Sequence, residues 1–408
     1  MTRMETTNDT KKTLPDGWRW AWLGEVCEII AGQSPPGSTY RTNPEGLPFF
    51  QGKADFGLLN PVPRVWCVEP NKIALPGDIL VSVRAPVGPT NIADVKCCIG
   101  RGLAAIRCGG DADIEFILSA LRHFESRLVG KGAGSTFEAI SRDDLEQLSF
   151  PLPPLSEQRR IAAVLREQMA AVDKARAAAQ ARLEAVKTLP GAYLRQVFPQ
   201  PGQPLPAGWR WVRLGEVCEI KGGKRLPNGT DFIEGNTQFP YIRVVDFSEG
   251  TVDTHNLKYI DAATQSMISR YIISRNDVYI SIAGTIGLVG TIPDSLDGAN
   301  LTENAARLLI KDKDLLHKDY LARLLMSGMG KEFIHERTNT VGQPKLALTR
   351  IATIPVPLPP LAEQRRIAGM LREQMAAVEK ARAAAEEELA TINALPAALL
   401  RRAFNGEI

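Results

Sequence analysis

The stretch VGKGAGST at residues 129–136 holds the glycines, lysine and hydroxyls from which a phosphate-binding loop is built. Such a loop needs the spacing G-x-x-x-x-G-K-[ST], so that backbone N–H groups cradle the phosphates before the lysine reaches them. Here Lys131 comes too early, directly after a first glycine, which argues against ATP hydrolysis. The histidines His123, His255, His317 and His335 lie far apart, without metal-ligand spacing. The six cysteines include no CxxC pair. Cys27 and Cys218 sit inside apolar runs and read as small buried side chains rather than disulfides. Neither the Asn/Asp-Pro-Pro-aromatic tetrad of amino-methyltransferases nor a recognisable nuclease carboxylate cluster is present. The Glu-Gln pairs at 157–158 and 363–364 read as surface features, not acid/base pairs. No catalytic residue, metal site or cofactor is expected.

What remains is hydrogen-bonding chemistry. Arginine, lysine and glutamine recur in glycine- or proline-containing stretches: FFQGK (49–53), VRAPVG (83–88), IGRG (99–102) and GKGAGSTF (130–137) in the first half. KGGKRLPNG (221–229), YIRVVDF (241–247) and VGQPK (341–345) follow in the second. Turns of this kind present side chains but do not hold themselves in place, so the elements around them decide what they can do.

Those elements come from an internal repeat. LPDGWRWAWLGEVCEI (14–29) returns as LPAGWRWVRLGEVCEI (205–220), and PLPPLSEQRRIAAVLREQMAAV (151–172) returns as PLPPLAEQRRIAGMLREQMAAV (357–378). Over the blocks 151–198 and 357–404, roughly two-thirds of positions are identical, whereas the stretches between share only scattered features. Two near-constant frames therefore enclose two divergent inserts, the second longer by 15 residues. The length of 408 residues already calls for more than one domain. The expected boundaries are a disordered tail at 1–13, a first domain at 14–150, a repeated helix at 151–198 and a linker at 199–204. A second domain at 205–356 and a second repeated helix with tail at 357–408 complete the chain.

The repeated closing block reads as helix. Prolines 151, 153 and 154 give an extended approach, Ser156 is the expected N-cap, and no Gly or Pro interrupts 157–189. The second copy has Ala362 at the cap position, which predicts a fraying first turn. Pro190 and Pro396 predict a kink or stop. Leu165, Val172, Ala179 and Val186, with Ile161 alongside, form a narrow apolar seam. Leu371, Val378, Ala385 and Ile392, with Ile367, repeat it. So thin a stripe suits helix–helix contact, and the simplest partner is the other copy, lying antiparallel. The inserts read as mixed β-rich domains: ILVSV (79–83) and VYISIAGTIGLVG (278–290) are β-branched runs that follow acidic turns. Helical pieces are expected at 114–128 and 315–334. The opening WLGEVCEI and RLGEVCEI runs fit either a strand or a short helix. The fold class is α+β, with two β-rich domains separated by two long antiparallel helices.

Taken together, two copies of PLPPL-[SA]-EQRRIA closing two variable blocks, LPxGWRWxxLGEV opening both, and a [GN]D[IV] turn in each resemble the specificity subunit of type I restriction–modification systems. The resemblance covers 14–404. The first block departs from it, with SVRAPVG (82–88) where the second has the more typical SIAGTIG (281–287), which puts the first turn's geometry in question. The resemblance implies two target-recognition domains that each read half of a split double-stranded DNA sequence. It also implies two methyltransferase subunits docked on the helices, with restriction–translocase subunits joining the larger complex.

Base reading needs forked or amide side chains. On that basis Gln51, Lys53, Arg84, Arg101 and Lys131 are the expected contacts in the first domain, and Lys224, Arg225, Arg243, Gln343 and Lys345 in the second. The competing interpretation for each is an ordinary solvated charge, and phosphates take the larger share of such contacts. Tyr40, Phe49, Phe50, Tyr241 and Phe247 could stack on bases but fit a core better. Arg159, Arg160, Arg365 and Arg366 could meet DNA or a partner, or simply solvate the helix. The net charge of +3 says little, so any nucleic-acid affinity must come from local clusters. No apolar run approaches the ~20 residues that span a bilayer, and no secretory pattern opens the chain, so the cytoplasm is the expected compartment. Two other interpretations remain open: a recognition subunit whose partner fuses methyltransferase and nuclease, and a coiled-coil scaffold or carbohydrate-binding adaptor without DNA affinity.

Overall fold

The computed structural model describes residues 14–408 except 133–138, 200–202, 236, 249, 340, 341 and 343. The tail expected at 1–13 lies outside the described residues. The chain divides into two compact units, Met1–Gln180 with Glu387–Ile408, and Ala181–Glu386. Each is α+β, and both use one plan.

In the first unit the opening frame is both strand and helix. Arg19–Trp22 is a strand, Leu23–Val26 one helical turn, and Cys27–Ala31 a second strand. Arg19–Trp22 pairs antiparallel with Ser149–Leu152, so the start of the insert is tied to its end. Cys27–Ala31 is the edge of a four-stranded antiparallel sheet that continues through Leu103–Cys108, Ile79–Ser82 and Thr90–Ile92. The run 79–82 is buried throughout, as continuous β-branched and leucine positions require. A second, five-stranded sheet includes the parallel pair Leu47–Phe50 and Cys97–Ile99. The expected helical piece is two helices, Ile114–His123 and Glu125–Gly132.

The second unit repeats the arrangement. Arg210–Arg213 pairs with Pro355–Leu358. Its four-stranded sheet runs Cys218–Gly222, Ala305–Ile310, Val278–Ser281 and Val289–Thr291, and Lys318–Met326 and Gly328–Arg337 are its helix pair. In both units the acidic turn residue caps the strand that follows: Asp78 accepts from Leu75 N at 2.7 Å, and Asp277 from Ser274 N at 2.9 Å. Arg107 closes on Asp78 with two further bonds, at 2.8 and 3.1 Å. The cysteines are free, and all but half-buried Cys108 are buried.

The long helices differ from expectation in three ways. They begin at Leu155 and Leu361, with Pro154 and Pro360 accepting the first backbone bonds. Ser156 and Ala362 therefore lie inside the first turn, and the change between them removes no cap. Neither helix stops at its proline: they run to Val197 and Phe404, with Pro190 and Pro396 inside. What carries them past is packing. In the second unit Leu194 and Phe198 are buried in the core, Phe198 5.6 Å from the Tyr320 ring. In the first unit Leu400, Ala403 and Phe404 are buried, and Phe404 stacks on His123 at 5.2 Å and 9° and meets Phe116 and Phe124. This terminal stretch runs antiparallel to the start of the 155–197 helix: Arg176 Nε donates to Asn393 Oδ1 at 2.9 Å, and Arg160 Nη2 to Ile408 O at 2.6 Å. Of the seam residues, Ile161, Leu165, Val172, Ala179, Ile367, Leu371, Val378 and Ala385 are buried, and Val186 and Ile392 are half-buried.

The third difference concerns the repeated glutamines. Gln158 and Gln364 are 1% and 0% exposed, not surface residues. Gln158 Oε1 accepts from Asp113 N at 2.9 Å, and its Nε2 donates to Asp111 O and Pro153 O at 3.0 and 2.9 Å. Gln364 makes the same three bonds, from His317 N and to Leu315 O and Pro359 O, each at 2.9 Å. One amide thus joins the proline approach, the long helix and the start of the preceding domain helix. The neighbouring arginines pair within the helix, Arg160 with Glu157 and Arg366 with Glu363, both at 2.7 Å.

Replacing Gln158 by leucine leaves three backbone groups without their partner, that of Pro153 buried, and should cost about 2 kcal/mol, read as a lower urea midpoint; a change at exposed Arg159 should leave the midpoint in place. Phe404→Ala should cost about 3–5 kcal/mol and loosen hydrogen-exchange protection over residues 114–128. Unchanged protection there would show that the terminal helix does not support that core.

Candidate nucleic-acid interface

In the first unit, four separate segments meet at one end of the four-stranded sheet. Gly32 N donates to Leu103 O at 2.9 Å, Gln33 N to Ile99 O at 3.0 Å, Val83 N to Gly102 O at 3.0 Å and Gly100 N to Phe50 O at 2.8 Å. So close an approach requires glycine: a Cβ on Gly32 would stand 2.2 Å from Gly100 O, and one on Gly102 2.2 Å from Gln51 O. The result carries Gln51, Arg84 and Arg101 outward from adjacent loops, with Lys53 two residues beyond Gln51; all four are exposed. Asp55 accepts from Gln51 N at 2.7 Å and pairs with Arg64 at 2.7 Å, fixing the turn that bears Lys53. Arg101 N donates to Ser34 Oγ at 3.3 Å. Lys131 belongs to the helix Glu125–Gly132, and its side chain lies outside the described residues, as do residues 133–138.

The turn bearing Arg84 closes as its counterpart does, despite the different sequence. Buried Ser82 and Ser281 each accept from the backbone of the closing glycine, Gly88 N and Gly287 N, at 3.0 Å. Both glycines have positive φ, +106° and +86°. A cis Ala85–Pro86 bond in the first unit stands where the second has Gly284 and Thr285.

The second unit builds the same sheet end from other side chains. Gly223 N donates to Ala305 O at 2.9 Å, Lys224 N to Leu301 O at 2.8 Å, Thr302 N to Ile242 O at 3.0 Å, Ile282 N to Asn304 O at 2.8 Å and Leu346 N to Ile282 O at 3.0 Å. Lys345 bridges to Ala283, which brings it to the same loops. Lys224, Arg225, Arg243 and Lys345 are therefore gathered, while Gln343 lies outside the described residues. Their surroundings differ. Lys224 Nζ lies 5.8 Å over the Tyr271 ring, and its carbonyl accepts from Tyr241 Oη at 2.7 Å. Burial pushes the Tyr241 phenol up to about 12, so it stays a donor near neutral pH. Arg225 Nε bonds Glu303 Oε1 at 2.8 Å. Arg243 is half-buried and spends its fork on buried Asp246, at 2.7 and 3.1 Å, and on Asn256 O at 3.1 Å.

Phe49, Phe50, Tyr241 and Phe247 are buried and Tyr40 is half-buried, as core positions would be. Gln33, Ser34 and Glu303 were not visible as candidates from the sequence. Superposing the two insert registers would have raised them, because Ser34 and Arg101 take the places of Arg225 and Glu303. Among the described residues no group of three or more His, Cys, Asp or Glu could hold a metal ion, and no helix is long and apolar enough to cross a membrane.

Comparison with known proteins agrees with this doubled plan. The model of the type I restriction modification DNA specificity domain matches twice, over residues 15–179 and 206–386. A solved structure described as the structural basis of complex assembly and conformational transition of the type I R-M system has a TM-score of 0.80 and 27% identity, covering 97% of this chain and 100% of that one. The HsdS subunit of Thermoanaerobacter tengcongensis has a TM-score of 0.66 at 26% identity, over 98% and 100%. The type I restriction enzyme EcoBI specificity subunit of Escherichia coli is 22% identical over 429 residues, 97% of this chain and 87% of that protein. Two matched domains on one repeated frame place the chain in the family of type I restriction–modification specificity subunits.

Proposed function

We propose that the chain is the non-catalytic reader of a type I restriction–modification complex, each sheet end reading one half of a bipartite, asymmetric DNA sequence. The observation that carries this is the gathering of exposed side chains at the same end of equivalent sheets, Gln51, Lys53, Arg84 and Arg101 in the first unit and Lys224, Arg225 and Lys345 in the second. Forked and amide groups are those that discriminate base edges in the major groove, and unlike sets predict unlike half-sites. The long helices set the distance between half-sites and dock two methyltransferase subunits, with restriction–translocase subunits completing the assembly. Near-constant helices beside divergent inserts support that division, since a change of target need not disturb the partners. The complex would work in the cytoplasm, where its DNA lies.

The full-length chain should bind duplex DNA with an affinity that falls steeply as salt rises, because phosphate contacts release counterions; affinity indifferent to salt would contradict DNA reading. Replacing residues 31–150 with the matching block of another specificity subunit should change one half of the methylated sequence. Methylation mapping that showed both halves changed would refute modular reading.

A further inference from the structure

The two sheet ends differ in charge at one shared position. Following the shared register, Ser34 and Arg101 of the first unit occupy the positions of Arg225 and Glu303 in the second. In the first unit that place holds exposed Arg101, whose backbone N–H donates to Ser34 Oγ at 3.3 Å. In the second it holds a built pair. Glu303 is oriented through both oxygens: Oε2 accepts from the hydroxyl of buried Thr302 at 3.0 Å, and Oε1 from Arg225 Nε at 2.8 Å. The loop beneath is stiff, because Gly223 lies against Thr302 O and Leu301 O, where a Cβ would fall at 2.1 and 2.3 Å. Lys224 is pinned from below by Tyr241. Arg225 keeps its side chain 77% exposed, and its two Nη groups have no hydrogen-bond partner among the described residues.

Which donors are taken matters. A guanidinium held by Nε loses swing about its long stem but keeps its end-on fork, two parallel N–H groups. Among base edges, guanine offers the matching pair of acceptors, O6 and N7, in the major groove. A phosphate also accepts the guanidinium fork, but it accepts an unbraced lysine as well, so a brace adds most where one base edge must be met. Arg243, on the neighbouring loop, makes the contrast: Asp246 holds its Nη2 as well as its Nε, so one arm of the end-on pair is already taken.

Resting on the DNA-reading function above, we infer that Arg225 reads a guanine in the half-site of the second unit and that Glu303 is its positioning residue. The first unit, without a carboxylate at this place, has no equivalent requirement.

The test is selection of bound duplexes from a randomised library by the full-length chain, for wild type, Arg225→Lys, Arg225→Ala and Glu303→Gln, repeated at two salt concentrations. Wild type should select two half-sites with a guanine fixed in one of them. Arg225→Ala should lose that guanine preference by about tenfold or more, with the other half-site unchanged, and Arg225→Lys, which keeps the charge and a donor but not the fork, should keep only part of it. Glu303→Gln should lower the preference at the same base pair and no other. If Arg225→Ala still selects the wild-type guanine, or weakens all sequences evenly and reduces the salt slope by about one, Arg225 is a phosphate contact and the inference is overturned while DNA reading stands. If wild type selects no sequence at all, the DNA-reading function itself fails, and the inference with it.

Discussion

A single buried amide, present twice, carries the architecture. Gln158 and Gln364 each satisfy three backbone groups drawn from two segments: one in the proline-rich approach, and two in the loop that starts the preceding domain helix. Burying an amide is costly unless its donors and acceptors are filled, and here the accounting is complete on both nitrogen bonds and the oxygen. That satisfaction is what makes the junction stiff. A recognition domain joined to a helix through a flexible tether could not hold its sheet end at a defined angle. Through this clamp each insert is held to the long helix at the helix's first turn.

The sheet ends follow the same logic on a smaller scale. Glycines at 32, 102 and 223 let carbonyls approach where any side chain would collide, so that loops far apart in sequence lie side by side. The hydrogen bonds between them are backbone bonds, which are indifferent to the identity of the exposed side chains. The scaffold of the site is thus insulated from its chemistry. Gln51 and Arg101 in one unit can stand where Arg243 and Glu303 stand in the other without disturbing the sheet below. That insulation is the physical condition for divergent inserts on a constant frame.

Much of this plan was legible in the sequence, because repetition is visible without knowing what is repeated. The helices, the β-rich inserts and most buried seam positions follow from periodicity and from the two frames. Hidden features depend on partners distant along the chain. Gln158 looks like a helix-surface residue because the groups it binds lie 45 and 47 residues before it. Pro190 and Pro396 look like stops because the cores that receive Phe198 and Phe404 lie far from them along the chain. Glu303 carries no signal at all until Arg225, 78 residues earlier, is seen against it. Arg243 looked as available as Arg225, and only the position of Asp246 distinguishes them.

The central claim is that stiff junctions on long helices turn helix length into a distance between half-sites. It is tested most directly by inserting four residues, about one turn or ~6 Å, after Ala178 and after its repeat counterpart Ala384, and mapping the DNA sequence that the assembled complex methylates. At ~3.4 Å per base pair, the account predicts a spacer longer by about two base pairs between two unaltered half-sites. Methylation at the original spacing would contradict it.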